Sequence, residues 1–279
     1  YMGQSVGGSM ELRDIYDVQV LRGPQGTLFG RNTIGGAVLI STTQPGDEFK
    51  TSLKLGIGSD NLLTTFVGVD IPLSEKFLTR FTFGSKKQDG YVERTFDGTD
   101  LGDTNNYVFT AKAVYLPTDD LTIKFNLDYT EADENGTPLV FAASTESATF
   151  QRVASSDAGC PGFDGVWNSL PAVPLIDDPR CANDFQAEGP FKNNGTAPLE
   201  STLENQGMSL HIEYDITDEL SFKSITAKRE LDWHGVRDAD NTPLTILHTD
   251  YTSSGEQFSQ EFQLLYTSDT LTGVAGAYY

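Results

Sequence analysis

Nowhere in this 279-residue chain is there a run of about 18 apolar residues, which excludes a membrane-crossing helix. The exclusion does not extend to strands, because a transmembrane strand needs only roughly 9–11 residues of alternating character. A negative mean hydropathy therefore does not speak against a membrane. Basic residues are scarce, with 19 Lys and Arg against 40 Asp and Glu and a formal net charge of −21. No basic stripe is available for phosphates, so nucleic acid is excluded as a partner. Catalytic signatures are missing too: no HExxH, P-loop, GxSxG or paired CxxC occurs. The three histidines, His211, His234 and His248, are scattered, and the carboxylate pairs Asp177-Asp178 and Asp238/Asp240 stand in loops without a companion base or nucleophile. No active site, metal site or cofactor is expected.

What the chain does have, after Pro45-Gly46-Asp47, is period-two alternation. Leu121, Ile123, Phe125, Leu127 and Tyr129 form one face of a strand, and Thr122, Lys124, Asn126 and Asp128 the other. The same period runs through Tyr107–Tyr115 and Met208–Ile216. Between Leu220 and Trp233 its phase slips once, which predicts a β-bulge. Nine strands are expected, near 50–58, 61–72, 77–92, 105–116, 121–131, 203–216, 220–234, 254–267 and 271–279.

Four of the connections are short and alike: Pro72-Leu73-Ser74-Glu75-Lys76, Pro117-Thr118-Asp119-Asp120, Thr217-Asp218-Glu219 and Thr267-Ser268-Asp269-Thr270. Their Ser, Thr, Asp and Glu residues between apolar neighbours are hairpin chemistry. All four fall at one end of the strand series. The connections at the other end, Ser59-Asp60-Asn61 and the segments near 93–104, 132–202 and 235–253, have every length. Short turns on one side and long loops on the other is the asymmetry of outer-membrane barrels. Alternation by itself equally fits a soluble β-sandwich. Phe77, Tyr115, Tyr129, Tyr214 and Tyr266 sit near strand ends, where an interfacial girdle and ordinary β-propensity both account for them.

The only cysteines, Cys160 and Cys181, lie in the longest loop. In an exported protein they read as a disulfide closing a surface loop, and two thiols with no further ligands nearby make a poor metal site. Phe141, Phe150, Phe163, Trp167, Phe185 and Phe191 in the same loop suit contact with a ring-bearing ligand, or packing of the loop onto itself. Phe163, Trp167, His234 and His248 are the candidate ligand contacts.

One run remains: Arg22-Gly23-Pro24-Gln25-Gly26-Thr27-Leu28-Phe29-Gly30-Arg31-Asn32-Thr33-Ile34-Gly35-Gly36-Ala37-Val38. From the residues alone it is a tight strand-turn-strand unit with a short helical turn at Thr27-Leu28-Phe29, its glycines supplying sharp corners. In order and composition it resembles the end of the plug domain of TonB-dependent outer-membrane receptors. Glu256–Tyr266 also looks like a barrel strand common in that family. The resemblance implies a mainly β fold, an antiparallel transmembrane β-barrel with the C-terminal part of an α+β plug. Residues 1–46 would be plug and 47–279 barrel. A plugged transporter has about 22 strands, so nine strands imply a fragment, with the signal peptide and TonB box upstream and the other strands downstream. The implied partners are TonB with its inner-membrane energising complex, outer-membrane lipids and a small ligand such as a ferric siderophore, with cobalamin, haem or an oligosaccharide as alternatives. A passive porin or a surface adhesin is a further alternative. Arg22, Gly23, Pro24, Gly26, Gly30, Arg31, Gly35 and Gly36 would form the gating motif. Arg22 and Arg31 are expected to pair with lumen-facing carboxylates such as Asp128, Glu213 or Glu261.

Overall fold

The computed structural model describes residues 14–24, 34–145, 149–163 and 172–279. Gly26, Gly30, Arg31, Trp167 and the helical turn expected at Thr27-Leu28-Phe29 lie outside them. First come β1 (Ile15–Arg22) and β2 (Gly36–Thr42), then β3 (Lys50–Ile57), β4 (Leu63–Ser74) and β5 (Phe77–Gln88). Two short strands follow, β6 (Val92–Arg94) and β7 (Asp100–Leu101), then β8 (Thr104–Thr118) and β9 (Leu121–Glu134). The longest loop carries α1 (Thr149–Asp157) and β10 (Lys192–Asn193). The chain continues with β11 (Glu200–Thr217), β12 (Leu220–Asp238), β13 (His248–Thr267) and β14 (Thr272–Tyr278).

Nine strands form one sheet in the order β3-β4-β5-β8-β9-β11-β12-β13-β14, a meander in which every pair is antiparallel. All four short connections lie at one end of it. The side-chain chemistry read from the sequence is what closes them: Thr217 Oγ1 accepts from the amides of Glu219 (3.3 Å) and Leu220 (3.1 Å), and Ser268 Oγ from that of Leu271 (3.2 Å). At the opposite end the strands outrun their expected limits, β12 reaching Asp238 and β13 starting at His248. There both faces are wet, so apolar alternation fades while backbone pairing continues.

The bulge expected in Leu220–Trp233 is absent: β12 pairs without a break from Leu220 to Asp238 on the β13 side. Register shifts fall instead beside the short turns, at Pro72/Ser74, Tyr115/Thr118 and Asp215/Thr217. The phase slip has a different origin. Ile225, Ala227, Leu231 and Trp233 are apolar residues on the opposite face, whereas Ser224 and Thr226 lie on the face that carries Phe222.

Register assigns the two faces. Phe83, Phe109, Leu127, Met208, Phe258 and Phe262 share the outward face and form an exposed apolar band, with half-buried Val67 continuing it on β4. Beyond the band, toward the long loops, the same face becomes acidic through Glu131, Glu204, Glu230, Asp232 and Glu256. The other face carries Arg80, Lys112, Asn126, Ser209 and Ala227 side by side. It is identified as the inner wall because the β1–β2 ribbon is bonded to it.

In that ribbon β1 and β2 pair antiparallel from Ile15↔Thr42 to Arg22↔Gly36. Gly36 has φ +140°, and a Cβ there would lie 2.3 Å from the Leu21 carbonyl oxygen, so the site admits only glycine. Gly36→Ala is expected to destabilise the ribbon by about 2 kcal/mol, raising local opening roughly 30-fold. Hydrogen exchange at the Val38 and Ile40 amides reads this; unchanged protection would refute it.

Candidate functional site on the inner wall and outer loops

Where the ribbon meets the wall, β5 and β8 supply adjacent cations. Arg80 Nε and Nη2 donate to the two carboxylate oxygens of Asp14, both at 2.8 Å, and its Nη1 donates to Asp70 at 2.7 Å. The Arg80 side chain is only 5% exposed. Lys112, its cross-strand neighbour, donates from Nζ to Thr42 Oγ1 (2.7 Å) and the Thr43 carbonyl (2.6 Å). The Thr43 amide donates to the Asp14 carbonyl at 2.9 Å and closes the end of the ribbon. A guanidinium this buried requires both carboxylates, since removing one leaves charge without compensation.

Higher on the wall, Arg229 donates to both oxygens of Asp128 (2.7 and 2.8 Å) and to Asn205 (2.9 Å). It crosses β11 to do so. The space comes from Gly207, where a Cβ would lie 2.3 Å from the guanidinium. Lys124 and Lys223 both approach Glu213 at 3.2 Å. Gln263 donates its amide to Glu261 at 2.5 Å.

At the loop end, three connections join into one cap. β10 lies parallel to β6, and β7 flanks β6 on its other edge, in a small sheet linking the loop near 93–104 to the long one. Arg94 is paired with Asp97 and donates to the Ala197 carbonyl. Asn193 donates from Nδ2 to the Leu139 carbonyl (2.6 Å) and Asn241 (2.7 Å). Asp238 accepts from the amides of Thr196 (2.9 Å) and Ala197 (3.2 Å) through one oxygen, and from those of Asp240 and Asn241 through the other. One buried carboxylate thus ties the long loop to the loop after β12. Within the long loop, Cys160 and Cys181 are disulfide-bonded with Cα atoms 5.0 Å apart, and Phe163, Val173 and Ile176 pack on them.

The sequence candidates fall into different surroundings. Asp128, Glu213 and Glu261 are on the inner wall, where the first two are engaged by Arg229 and by Lys124 with Lys223. Between the described parts of ribbon and wall the polarity runs the other way, with the carboxylate of Asp14 on the ribbon and the cations on the wall. Gly23 and Pro24 follow β1, and Gly35 and Gly36 precede and open β2. Phe163 is buried against the disulfide. His234 is on the outward face between Glu200 (3.3 Å) and Asp250 (2.9 Å). His248, opposite Asp238 in register, has Nε2 3.2 Å from that carboxylate but without hydrogen-bond alignment.

Asp238, Asp240 and His248 bring one ligand atom each within 4.8 Å of one another. Their carboxylates are already occupied: Asp240 accepts from the amides of Thr242, Ile246 and Leu247, and Asp238 from the four amides above. These acids hold loops. Burial pushes the Asp240 carboxyl above its ordinary range. Asp14, Arg80, Lys112 and Arg94 were not candidates in the sequence. Asp14 and Arg80, Lys112 and Thr42, and Arg94 and Ala197 are 66, 70 and 103 residues apart along the chain, so only the fold reveals these contacts.

No family model matches the chain. The chain is 29% identical over 93 residues to the vitamin B12 transporter BtuB of Vibrio vulnificus, covering 33% of this chain and 15% of that protein. It is 26% identical over 223 residues to the ferric-pyoverdine 358 receptor of Pseudomonas putida, covering 77% and 26%. Among solved structures, the ferric yersiniabactin uptake receptor FyuA of Yersinia pestis superposes with a TM-score of 0.69 at 19% identity, over 96% of this chain and 36% of that one. These relatives and structures are TonB-dependent outer-membrane receptors, and it is that family to which the chain is similar. Such receptors reside in the outer membrane of Gram-negative bacteria, so the exposed apolar band is the lipid-facing surface of barrel strands. The chain spans about 15 to 26% of the length of these curated relatives and 36% of the solved receptor, and the relatives are transporters and receptors rather than enzymes.

Two expectations test the receptor's cap. Reducing the disulfide, or Cys160→Ser with Cys181→Ser, is expected to destabilise the long loop by about 3 kcal/mol and open it to limited proteolysis; an unchanged digestion pattern would count against it. The Arg94 guanidinium holds the Asp97 carboxyl below the ordinary carboxylate range. Its contribution is therefore complete above the unfolded value of about 3.9 and is lost as pH falls through the lower folded value. Amide exchange at Thr95 and Thr99, corrected for intrinsic rate, should stay constant from pH 7 to 5 and rise only below about pH 4. A rise already between pH 7 and 5 would contradict this assignment.

Proposed function

We propose that this chain is the closing part of the plug, residues 1–46, and the first nine strands of the barrel, residues 47–279, of a receptor that imports a scarce ligand with energy delivered through TonB. The observation that carries the reading is the ribbon bonded to the inner wall by Arg80 and Lys112. A barrel of about 22 strands is wide enough to leak, and a plug held to its wall blocks the lumen. A passive porin has no use for such a ribbon.

The favoured ligand is a ferric siderophore, supported by the similarity to the ferric-pyoverdine 358 receptor of Pseudomonas putida and the ferric yersiniabactin uptake receptor FyuA of Yersinia pestis. BtuB keeps cobalamin as the second reading. The run from Arg22 to Gly36, including Gly23, Pro24, Gly26, Gly30, Arg31 and Gly35, is assigned to gating as the border of the opened path, the segment that moves lying elsewhere in the plug. The disulfide-closed cap, with Trp167 in its loop, is the ligand-facing surface.

The test is uptake of iron-55 presented as siderophores purified from the host's own iron-starved culture. A receptor deletion should abolish the uptake, restoration of the complete gene should recover it, and a protonophore should suppress the recovered uptake. Recovered uptake that is indifferent to the protonophore would exclude the energised mechanism. Uptake unaffected by the deletion would exclude the siderophore class, and binding of cyanocobalamin would then support the second reading.

A further inference from the structure

The four-way junction at Asp14 combines two restraints of different kinds. One is covalent: β2 ends at Thr42, and β3 begins at Lys50, directly opposite Asp70 in the wall. The linker is itself tied, since the Gly46 amide donates to Asp70 Oδ1 at 3.3 Å. The other restraint is non-covalent. Asp14 is joined to Arg80, while Thr42 and Thr43 receive Lys112. Arg80, Asp70 and Lys112 are all below 9% exposed, so water is kept from competing for these bonds.

Asp14 is also the residue through which any pull arriving from the N-terminal side must enter the ribbon. The Asp14 carbonyl accepts from Thr43 and its carboxylate grips Arg80, so backbone and side chain are both restrained. We propose that this junction is a mechanical stop. The part of the plug that leaves its place during transport ends before Asp14, and the β1–β2 ribbon stays on the wall as a fixed lining of the opened path. Arg80 is the positioning residue: its fork reaches Asp14 with two nitrogens and Asp70 with the third. A lysine, as a point charge, cannot reproduce that geometry.

The inference rests on the plug assignment made under the proposed function. The complete receptor, in a supported bilayer, would be pulled through a handle at its N-terminus while the length of chain released is recorded. In the wild type, extraction should halt when the chain up to Asp14 has been released. In Asp14→Asn and Arg80→Lys the halt should vanish and the segment Ile15–Thr43 should follow, adding about 100 Å of extended chain. Lys124→Gln, which alters a wall cation engaged by Glu213, should keep the halt. Wild-type extraction that runs through Thr43 without a halt would overturn the stop, and needs no variant to be seen. If the halt persists in both Asp14→Asn and Arg80→Lys, the junction is not what makes it. A wild-type receptor from which no chain preceding Asp14 can be drawn would instead refute the plug assignment itself.

Discussion

A backbone amide in hydrocarbon has no water to bond with, so a strand that crosses a bilayer must find its partners in the strands beside it. That requirement organises everything else in the chain. It accounts for a sheet in which each strand pairs with the next and for register that runs unbroken through the middle of the strands. Irregularities are pushed to Pro72/Ser74, Tyr115/Thr118 and Asp215/Thr217 at the turn end, where water is available. Side-chain polarity is then free to differ between faces. Phe83, Phe109, Leu127 and Met208 meet lipid while Arg80, Lys112, Asp128 and Ser209 occupy the inner wall of the same strands.

On that inner wall, charge is placed where it has partners. Arg229 reaches Asp128 across a glycine, Glu213 collects two lysines, and Arg80 is held between two carboxylates of which one belongs to the ribbon. Strand register fixes the partners of each group, and for the buried Arg80 guanidinium that fixing is what makes a low-dielectric setting tolerable. The rigid sheet is thus the precondition of the polar junctions, and the Arg80 junction connects the sheet to the β1–β2 ribbon.

Much of this was legible in the sequence, and what was not had a physical reason. Strands such as Leu121–Glu134 could be read because a sheet with lipid on one side and a polar lumen on the other imposes period two on side-chain polarity. The turns could be read because Ser, Thr and Asp close hairpins by local hydrogen bonds. The supposed bulge in β12 was misread because polarity was taken as a marker of face: Ile225 and Ala227 are apolar yet line the inner wall. Asp14 and Arg80 are 66 residues apart, and Asp128 and Arg229 are 101 apart, so no local pattern announces them. In the cap, Asp238 reads as one of two loop acids until register brings Thr196, Ala197 and His248 beside it. For Phe163 the sequence left ligand contact and packing of the loop onto itself open, and its place against the disulfide is the second of these.

The cap has a consequence for how such a receptor diversifies. Its parts come from three separate connections, β5 to β8, β9 to β11 and β12 to β13, yet Asn193, Arg94 and Asp238 each bond across from one to another. A loop exchanged alone with a related gene would arrive without these cross-bonds and strand polar groups in a buried seam. The unit that can be exchanged intact is therefore the trio of loops, and a recombination event that keeps the cap folded has to carry all three together.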